Sequence, residues 1–257
     1  MMTNEEGMVK KMPEDSRNGL ADYDSSYARY CDHTILKAYV KQKVVKAFCE
    51  EAIRYRLASV CVNPVHVAFV RQQLEGTEVK TCAVIGFPLG ANTPAVKAME
   101  AADAIRNGAQ ELDMVINIGA LRDGDDDLVH ADIRGVVEAA EGKALVKVII
   151  ETCYLTDEEK TRACELCLRA GADFVKTSTG FGPGGATVAD IQLMRRVVGD
   201  RMKIKASTGI NNRETAKMMI GAGADRLGLS RCVQIIEGDD NLASAATSYS
   251  APLSGNS

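Results

Sequence analysis

The chain has 257 residues, of which 46% are hydrophobic, and this combination fits one large domain with a substantial core. Its formal net charge of −4 argues against a general nucleic-acid surface, and no apolar run is long enough to span a bilayer. The polar start lacks the apolar stretch of a signal peptide, so we predict a cytoplasmic protein without nucleic-acid or membrane partners.

Apolar strand-like runs alternate with helical patterns along most of the chain. A polar extension covers residues 1–21, and residues 22–30 predict a short helix or an irregular lead-in. Runs typical of buried strands follow at 30–34, 58–63, 79–86, 111–117, 145–151, 173–177, 203–207 and 226–229. Helical patterns lie between them, for example at 44–55, 94–107, 157–170 and 213–221.

This alternation predicts a (β/α)₈ TIM barrel over residues 22–238. A doubly wound open sheet is the main alternative, but no GxGxxG motif follows the first strand. Residues 239–257 are rich in Ser, Ala and Gly and predict a flexible tail. Chemistry in such a barrel lies where the strands end at the C-terminal face, so polar residues at strand ends are the first candidates.

Eight cysteines and three histidines give no pattern typical of a metal or redox site. Cys61 and Cys82 lie in apolar strand-like runs, where buried free thiols are common. Cys164 and Cys167 have CxxC spacing but fall in a helical pattern without a second cysteine pair or a nearby histidine. We therefore expect no metal and no cofactor.

Two strand-end lysines are the most informative feature. Lys176 ends one apolar run before a Ser/Thr/Gly loop, and Lys205 stands in a similar run further along. A buried lysine is costly to desolvate, and two of them fit a nucleophilic amine and a cation that tunes it. Lys203 shares a strand face with Lys205 by two-residue alternation, so the pattern leaves the second lysine open. Salt-bridged scaffold lysines are the alternative interpretation.

Amine chemistry explains why a second cation matters. A free lysine amine has a pKa of about 10.4 and must lose its proton before it attacks a carbonyl. A second ammonium about 4 Å away favours the neutral form by about 4 kcal/mol at an effective dielectric near 20. Asp113, at another strand end, could then shuttle protons, while Lys147 and Glu151 share an inward face of the fifth strand. These residues predict Schiff-base carbon–carbon bond chemistry.

Several ordered motifs make the chain resemble the deoxyribose-phosphate aldolase family of class I aldolases from residue 32 to about residue 230. They are DHTILK (32–37), SVCVNP (59–64), VIGFPLG (84–90), ELDMV (111–115), KVIIET (147–152) and GADFVKTSTG (171–180). The resemblance implies reversible cleavage of 2-deoxy-D-ribose 5-phosphate to acetaldehyde and D-glyceraldehyde 3-phosphate, as in deoxyribonucleotide catabolism. It assigns the Schiff base to Lys176, its tuning to Lys205 and proton transfer to Asp113. Small aldehydes and sugar phosphates are then the partners, and we expect a homodimer.

The phosphate end departs from the family pattern. The family usually has Gly-Gly, an aliphatic residue and Arg after the second lysine, where this chain has Thr208-Gly209-Ile210-Asn211. A usual Gly-x-Ser-Ser is here Gly228-Leu229-Ser230-Arg231. Neutral drift and altered dependence on the phosphate both fit. The candidate substrate- and phosphate-binding residues are Gly180, Ser207, Gly209, Gly228, Ser230 and Arg231, and the candidate site-lining residues are Asp32, Lys37, Cys61 and Lys147.

Some alternatives stay open at this point. Arg231 could restore the charge missing at Asn211 or point to solvent, Cys61 could be a packed thiol, and Lys37 could be solvated. Tyr249 could close over the site or belong to a disordered tail. Two rival functions are a related class I aldolase that prefers an unphosphorylated acceptor aldehyde and a non-catalytic sugar-phosphate-binding barrel.

Overall fold

The protein is described from a computed structural model that covers residues 25–238. Eight strands form a closed barrel in sequence order, and every neighbouring pair is parallel, including β1 with β8. The strands are β1 (Cys31–Ile35), β2 (Ser59–Val62), β3 (Lys80–Ile85), β4 (Glu111–Val115), β5 (Leu145–Ile149), β6 (Phe174–Lys176), β7 (Lys203–Ser207) and β8 (Arg226–Leu229). The predicted (β/α)₈ barrel is confirmed, and the open-sheet alternative is wrong because β8 closes onto β1.

Helices follow the strands around the barrel. They are α1 (Gln42–Tyr55), α2 (Val67–Gln73), α3 (Pro94–Arg106), α4 (Ile118–Asp123), α5 (Asp126–Ala140), α6 (Asp157–Ala170), α7 (Val188–Val198), α8 (Arg213–Ala222) and α9 (Cys232–Glu237). A 3₁₀ helix over Ser25–Tyr30 forms the described part of the predicted lead-in. The predicted extension at 1–21 and the tail with Tyr249 lie outside the described residues.

Strand alternation places apolar side chains outside the barrel and polar ones inside it. On β4, Leu112 and Met114 pack in the hydrophobic core between the sheet and the helices. Glu111 and Asp113 alternate with them and therefore point to the barrel axis. Both carboxylates are buried and form ion pairs there. The same alternation that builds the outer core thus collects charges inside the barrel.

Local signals fix several element ends. α6 has the predicted bounds because Thr156 and Glu159 form a capping box at its start and Gly171 ends it in the left-handed conformation. The predicted strands at 79–86 and 145–151 end earlier in the structure. Gly86 has a φ of 60° and Glu151 a φ of 54°, so the chain leaves the extended conformation there.

Bilayer crossing requires a helix that is both long and strongly apolar. None of the helices within residues 25–238 meets that requirement.

Candidate active site

A pocket of about 290 Å³ lies at the C-terminal ends of β1, β6, β7 and β8. This is the face on which barrel enzymes carry their active sites. Residues that the sequence did not single out also line the pocket, among them Thr34, Thr179 and Phe181. The predicted residues that line it are Lys37, Lys176, Gly180, Ser207, Gly209, Gly228, Ser230 and Arg231.

Lys176, Asp113 and Lys205 meet at one carboxylate oxygen. The Lys176 ammonium lies 2.6 Å from Asp113 Oδ2, and the Lys205 ammonium lies 2.7 Å from the same atom. Lys176 lines the pocket, whereas Asp113 and Lys205 lie beneath its floor with 0% exposure. The structure therefore brings the three predicted residues together and leaves one amine facing the space where a substrate fits.

Lys203 lies outside this group. It is exposed at the start of β7, and its ammonium lies 5.6 Å from the centre of the Phe174 ring. Lys205 stands two residues further along the same strand, deeper in the barrel. Of the two lysines that the sequence left open, only Lys205 contacts Asp113 among the described residues.

More charges surround this group, and together they form what we call the barrel cluster. Lys147 contacts Asp113 Oδ1 at 2.9 Å and Glu111 Oε2 at 2.6 Å. Lys205 contacts Asp32 Oδ2 at 2.6 Å, and Arg226 pairs with Asp32 and Glu111. The barrel cluster consists of Asp32, Glu111, Asp113, Lys147, Lys176, Lys205 and Arg226.

Two members of the barrel cluster, Glu111 and Arg226, were not predicted as site residues from the sequence. Glu111 stands two residues before Asp113, and Arg226 stands two residues before Gly228. Two-residue alternation from those predicted residues could have placed both on the inward face. Their pairing across the barrel had no sequence signal, since it depends on the relative height of β4 and β8.

Ion pairs outweigh burial in this cluster. Burial alone would raise the pKa of Asp113, but the ammonium groups of Lys147, Lys176 and Lys205 hold it well below its usual range. Burial alone would lower the pKa of Lys205, yet Asp113 and Asp32 raise it. The pKa of Lys147 is likewise raised, against burial, chiefly by Asp113. Asp113, Lys147 and Lys205 therefore stay ionised at neutral pH.

The other predicted lining residues divide between the pocket and the layer below it. Lys37 lines the pocket, with its ammonium 5.3 Å from the centre of the Phe181 ring. Asp32, Cys61 and Lys147 do not line the pocket, and each has 0% exposure. A substrate in the pocket would contact Lys37 directly and would meet the other three only through intervening groups.

Backbone and hydroxyl groups after β7 and on β8 form another part of the pocket wall. Thr208 and Gly209 both have left-handed backbone conformations, with φ of 68° and 81°, and the chain turns sharply after β7. A Cβ at Gly228 would lie 2.3 Å from Ser207 Oγ and 2.9 Å from Lys205 Cε, so a larger residue would have to displace these side chains. Ser207 Oγ is buried without a hydrogen-bond partner among the described residues. This wall offers polar groups to a ligand.

Glu151 ties the loop after β6 to the end of β5, a role that the sequence analysis missed. Its carboxylate accepts hydrogen bonds from Thr179 N at 3.2 and 3.3 Å and from the Thr179 hydroxyl. The side chain is buried, and its left-handed backbone carries a cost that these bonds offset. Thr179 lines the pocket three residues after Lys176, so Glu151 fixes the pocket wall beside the amine.

Comparison with known proteins identifies relatives over most of the chain. Residues 27–230 match the family described as DeoC/LacD family aldolase. The chain is 62% identical over 210 residues to the deoxyribose-phosphate aldolase of Enterococcus faecalis, which covers 82% of this chain and 96% of that protein.

Solved structures agree with this match. A putative deoxyribose-phosphate aldolase from Coccidioides immitis superposes with a TM-score of 0.81 at 41% identity, over 84% of this chain and 87% of that one. The deoxyribose phosphate aldolase of Aeropyrum pernix, described as having a unique tetrameric structure, gives a TM-score of 0.79 at 32% identity, over 85% and 93%.

Proposed function

The chain belongs to the DeoC/LacD family of aldolases, and from this premise we propose that it reversibly cleaves 2-deoxy-D-ribose 5-phosphate into acetaldehyde and D-glyceraldehyde 3-phosphate. The observation that carries the proposal is the position of Lys176. Among the described residues it is the one lysine of the barrel cluster that also lines the pocket. A nucleophile needs that access, and its activation needs the charges behind it.

Charge balance in the barrel cluster supports a neutral amine at Lys176. The cluster holds three carboxylates and four cationic side chains, so it carries one excess positive charge when every group is ionised. Lys147, Lys205 and Arg226 retain carboxylate partners that do not depend on Lys176. Loss of the Lys176 proton therefore leaves the cluster electrically balanced, while every other cationic side chain in it keeps a carboxylate partner.

The proposed reaction uses these groups in order. The Lys176 amine adds to the C1 aldehyde of the open-chain sugar, and the carbinolamine loses water to give an iminium ion. The C3 hydroxyl then loses a proton, the C2–C3 bond breaks, and the iminium accepts the electron pair as an enamine. Glyceraldehyde 3-phosphate leaves, C2 gains a proton, and water hydrolyses the resulting imine to acetaldehyde. Asp113, in contact with the Lys176 ammonium, is proposed to relay these protons directly or through water.

A retro-aldol assay tests the proposed function. The enzyme is expected to release acetaldehyde from 2-deoxyribose 5-phosphate, measured by coupling acetaldehyde to NADH-dependent reduction. Unphosphorylated 2-deoxyribose serves as the parallel substrate, because it reports how much the phosphate contributes. Absence of acetaldehyde from both substrates would favour the non-catalytic sugar-phosphate-binding alternative.

We propose that the phosphate binds beside Gly209, Gly228, Ser230 and Arg231. All four line the pocket next to Lys176. Backbone amides in glycine turns bind anions well, and a guanidinium matches phosphate oxygens in bidentate geometry. Gly180 and Ser207 complete the proposed substrate contacts, since Ser207 Oγ has no hydrogen-bond partner among the described residues.

Arg231→Ala is expected to reduce kcat/KM for 2-deoxyribose 5-phosphate by about 10- to 150-fold, because a charge-assisted contact contributes about 1.5 to 3 kcal/mol. The value for unphosphorylated 2-deoxyribose should change little. Arg201→Ala is the matched control, since Arg201 is exposed just before β7 begins. Equal kinetics of wild type and Arg231→Ala on the phosphorylated sugar would show that Arg231 does not bind the phosphate. The backbone amides and Ser230 would then bind it alone, or the enzyme would prefer an unphosphorylated acceptor.

Lys205→Leu is expected to move the rising limb of the pH–kcat profile upward by about one to three pH units. Removal of the ammonium takes away a cation that opposes a charge on Lys176. It also takes one cationic partner from Asp32 and Asp113, which keep Lys147 at 3.9 and 2.9 Å. Turnover at neutral pH should fall and recover in part at high pH.

Lys203→Leu is the matched control for this pH profile, since Lys203 lies on the same strand but is exposed. Its profile should coincide with that of the wild type. A shifted profile in Lys203→Leu and an unshifted one in Lys205→Leu would show that Lys203, not Lys205, has the tuning role.

We further propose a homodimer that acts in the cytoplasm on small aldehydes and sugar phosphates, without a metal or cofactor, with residues 22–238 as the catalytic domain. The net charge of −4 gives no general attraction for nucleic acid. The Aeropyrum pernix relative is described as tetrameric, so a tetramer is the alternative assembly. Light scattering should distinguish a dimer from a tetramer by mass.

A further inference from the structure

Two cysteines face each other inside the barrel. Cys61 on β2 and Cys82 on β3 are partners in the strand register, and both are free thiols with 0% exposure. Their sulfur atoms and one Asp113 carboxylate oxygen all lie within 4.8 Å of one another. No other group of three His, Cys, Asp or Glu side chains within residues 25–238 comes together in this way. The proposed reaction uses neither thiol.

The spacing of these donors fits a metal ion. Zinc binds thiolate sulfur at about 2.3 Å and carboxylate oxygen at about 2.0 to 2.2 Å, so tetrahedral ligands lie about 3.5 to 3.8 Å apart. Cys82 Sγ lies 3.2 Å from Asp113 Oδ1, and the remaining donor distances stay within 4.8 Å. Shifts of about 1 Å or less would bring all three into contact with one ion. Two sulfurs and one oxygen select a thiophilic ion over Mg²⁺ or Ca²⁺.

Charge balance permits such an ion despite the lysines nearby. Each thiol releases its proton to solvent when it binds the metal, so a divalent cation replaces two protons and the net charge inside the barrel stays the same. Lys147 Nζ lies 3.5 Å from Cys82 Sγ and 2.9 Å from Asp113 Oδ1. Its ammonium can donate to either ligand and orient it.

One side chain borders both the pocket and the thiols. Leu36 lines the pocket and also packs against Cys61, Cys82 and Val84. Rotation of this partly buried side chain is the movement by which we expect an ion to reach the sulfur atoms from the pocket.

We propose that Cys61, Cys82 and Asp113 form an inhibitory site for a thiophilic divalent cation of the Zn²⁺ class. A cation on Asp113 Oδ1 withdraws electron density from the carboxylate, so Oδ2, which contacts Lys176 and Lys205, becomes a weaker proton acceptor. The inhibitory part rests on the proposed function, because it assumes that Asp113 transfers protons in the aldolase reaction. The binding part rests only on the donor geometry.

Direct binding tests the site without reference to catalysis. Reduced, metal-free full-length protein is dialysed against Zn²⁺, and Cd²⁺ is added in a parallel sample to follow the ultraviolet absorption of cadmium–thiolate bonds. Wild type is expected to bind one ion per chain with that absorption. Cys82→Ala and Cys61→Ala should each weaken binding by more than about 100-fold, which exceeds the usual loss for an outer ligand contact.

Control variants separate this site from other thiols and from catalysis. Cys153→Ser removes the exposed free thiol and Cys164→Ala disrupts the buried CxxC pair, so both should bind the ion as wild type does. Lys176→Ala should also bind it, even though the proposed function makes this variant inactive. Circular dichroism identifies any variant that fails to fold. If either Cys61→Ala or Cys82→Ala fails to fold, the other still tests the site.

Inhibition is then measured as activity with Zn²⁺ divided by the activity of the same variant without metal. Stoichiometric Zn²⁺ should inhibit wild type and Cys153→Ser at least tenfold, a chelator should reverse the effect, and Mg²⁺ should have none. Cys82→Ala should keep its own metal-free activity in the presence of Zn²⁺. Unchanged binding in both Cys61→Ala and Cys82→Ala, or no binding to wild type, would overturn the site. Binding without inhibition would overturn only its inhibitory role.

Discussion

Replacement of Lys176 with alanine is expected to reduce kcat/KM for 2-deoxyribose 5-phosphate by at least about 10⁴-fold, since loss of a covalent nucleophile removes the step on which all later steps depend. The side chain is almost fully buried but faces the pocket, so alanine leaves space without exposing new core surface. Stopped assays at high enzyme concentration are needed to measure the residual rate. Lys203 is exposed on β7, the strand next to the one that carries Lys176, so Lys203→Ala is the control and should retain wild-type kinetics.

Chemical trapping identifies which amine carries the substrate. Borohydride added with acetaldehyde reduces an imine but not a free amine, so wild type should gain one reduced two-carbon adduct per chain. Peptide mapping should locate the adduct on Lys176. Lys37 is the informative rival because its ammonium also lines the pocket. An adduct on Lys37, or full labelling of Lys176→Ala, would move the nucleophile away from Lys176.

Much of this fold is predictable because its signals are local. Alternating apolar patterns, the capping box of α6 and the glycine that ends it are each set within a few residues of the chain. The prediction that Lys176, Asp113 and Lys205 all stand at strand ends is correct only for Lys176, because Asp113 and Lys205 lie in the middle of β4 and β7. They meet because two-residue alternation turns all three side chains into the barrel.

Features that depend on the closure of the barrel were not predictable from sequence. Arg226 stands at the start of β8, and its pairs with Asp32 and Glu111 exist because strands distant in sequence lie at matching heights. Cys61 and Cys82 fell on predicted strands, but their contact requires a register that no local pattern specifies. The hydrogen bonds between Thr179 and the Glu151 carboxylate likewise depend on the left-handed backbone conformation of Glu151 after β5.

A substitution at Asp113 is expected to lower the stability of the folded protein as well as its activity. The folded protein holds the pKa of Asp113 below its unfolded value of about 3.9. Its carboxylate therefore contributes stability above about pH 4, and this contribution is lost as pH falls through the lower, folded pKa. Removal of one partner from a buried ion pair costs about 3 to 5 kcal/mol, so Asp113→Asn should unfold at a lower temperature at pH 7, with a smaller difference in acid.

Asp132→Asn separates that structural cost from a catalytic one. Asp132 is also fully buried and lies 2.5 Å from the Lys97 ammonium, but neither residue lines the pocket. This variant should also lose stability because it too leaves a buried lysine without its carboxylate partner. Under conditions where both variants are folded, it should retain most of the activity.

Asp113→Asn is expected to reduce kcat by about 10²- to 10⁴-fold, the usual contribution of general acid–base catalysis. The amide keeps the shape of the carboxylate but cannot accept a proton from the substrate or neutralise the ammonium groups of Lys176, Lys205 and Lys147. Proton transfer is followed directly as exchange of the acetaldehyde methyl hydrogens in D₂O, while borohydride trapping reports whether the imine still forms. Slow exchange with residual trapping would place Asp113 after imine formation, whereas slow exchange with no trapping would place it in imine formation itself. Wild-type exchange in Asp113→Asn would remove Asp113 from proton transfer and leave it as the electrostatic partner of the lysines.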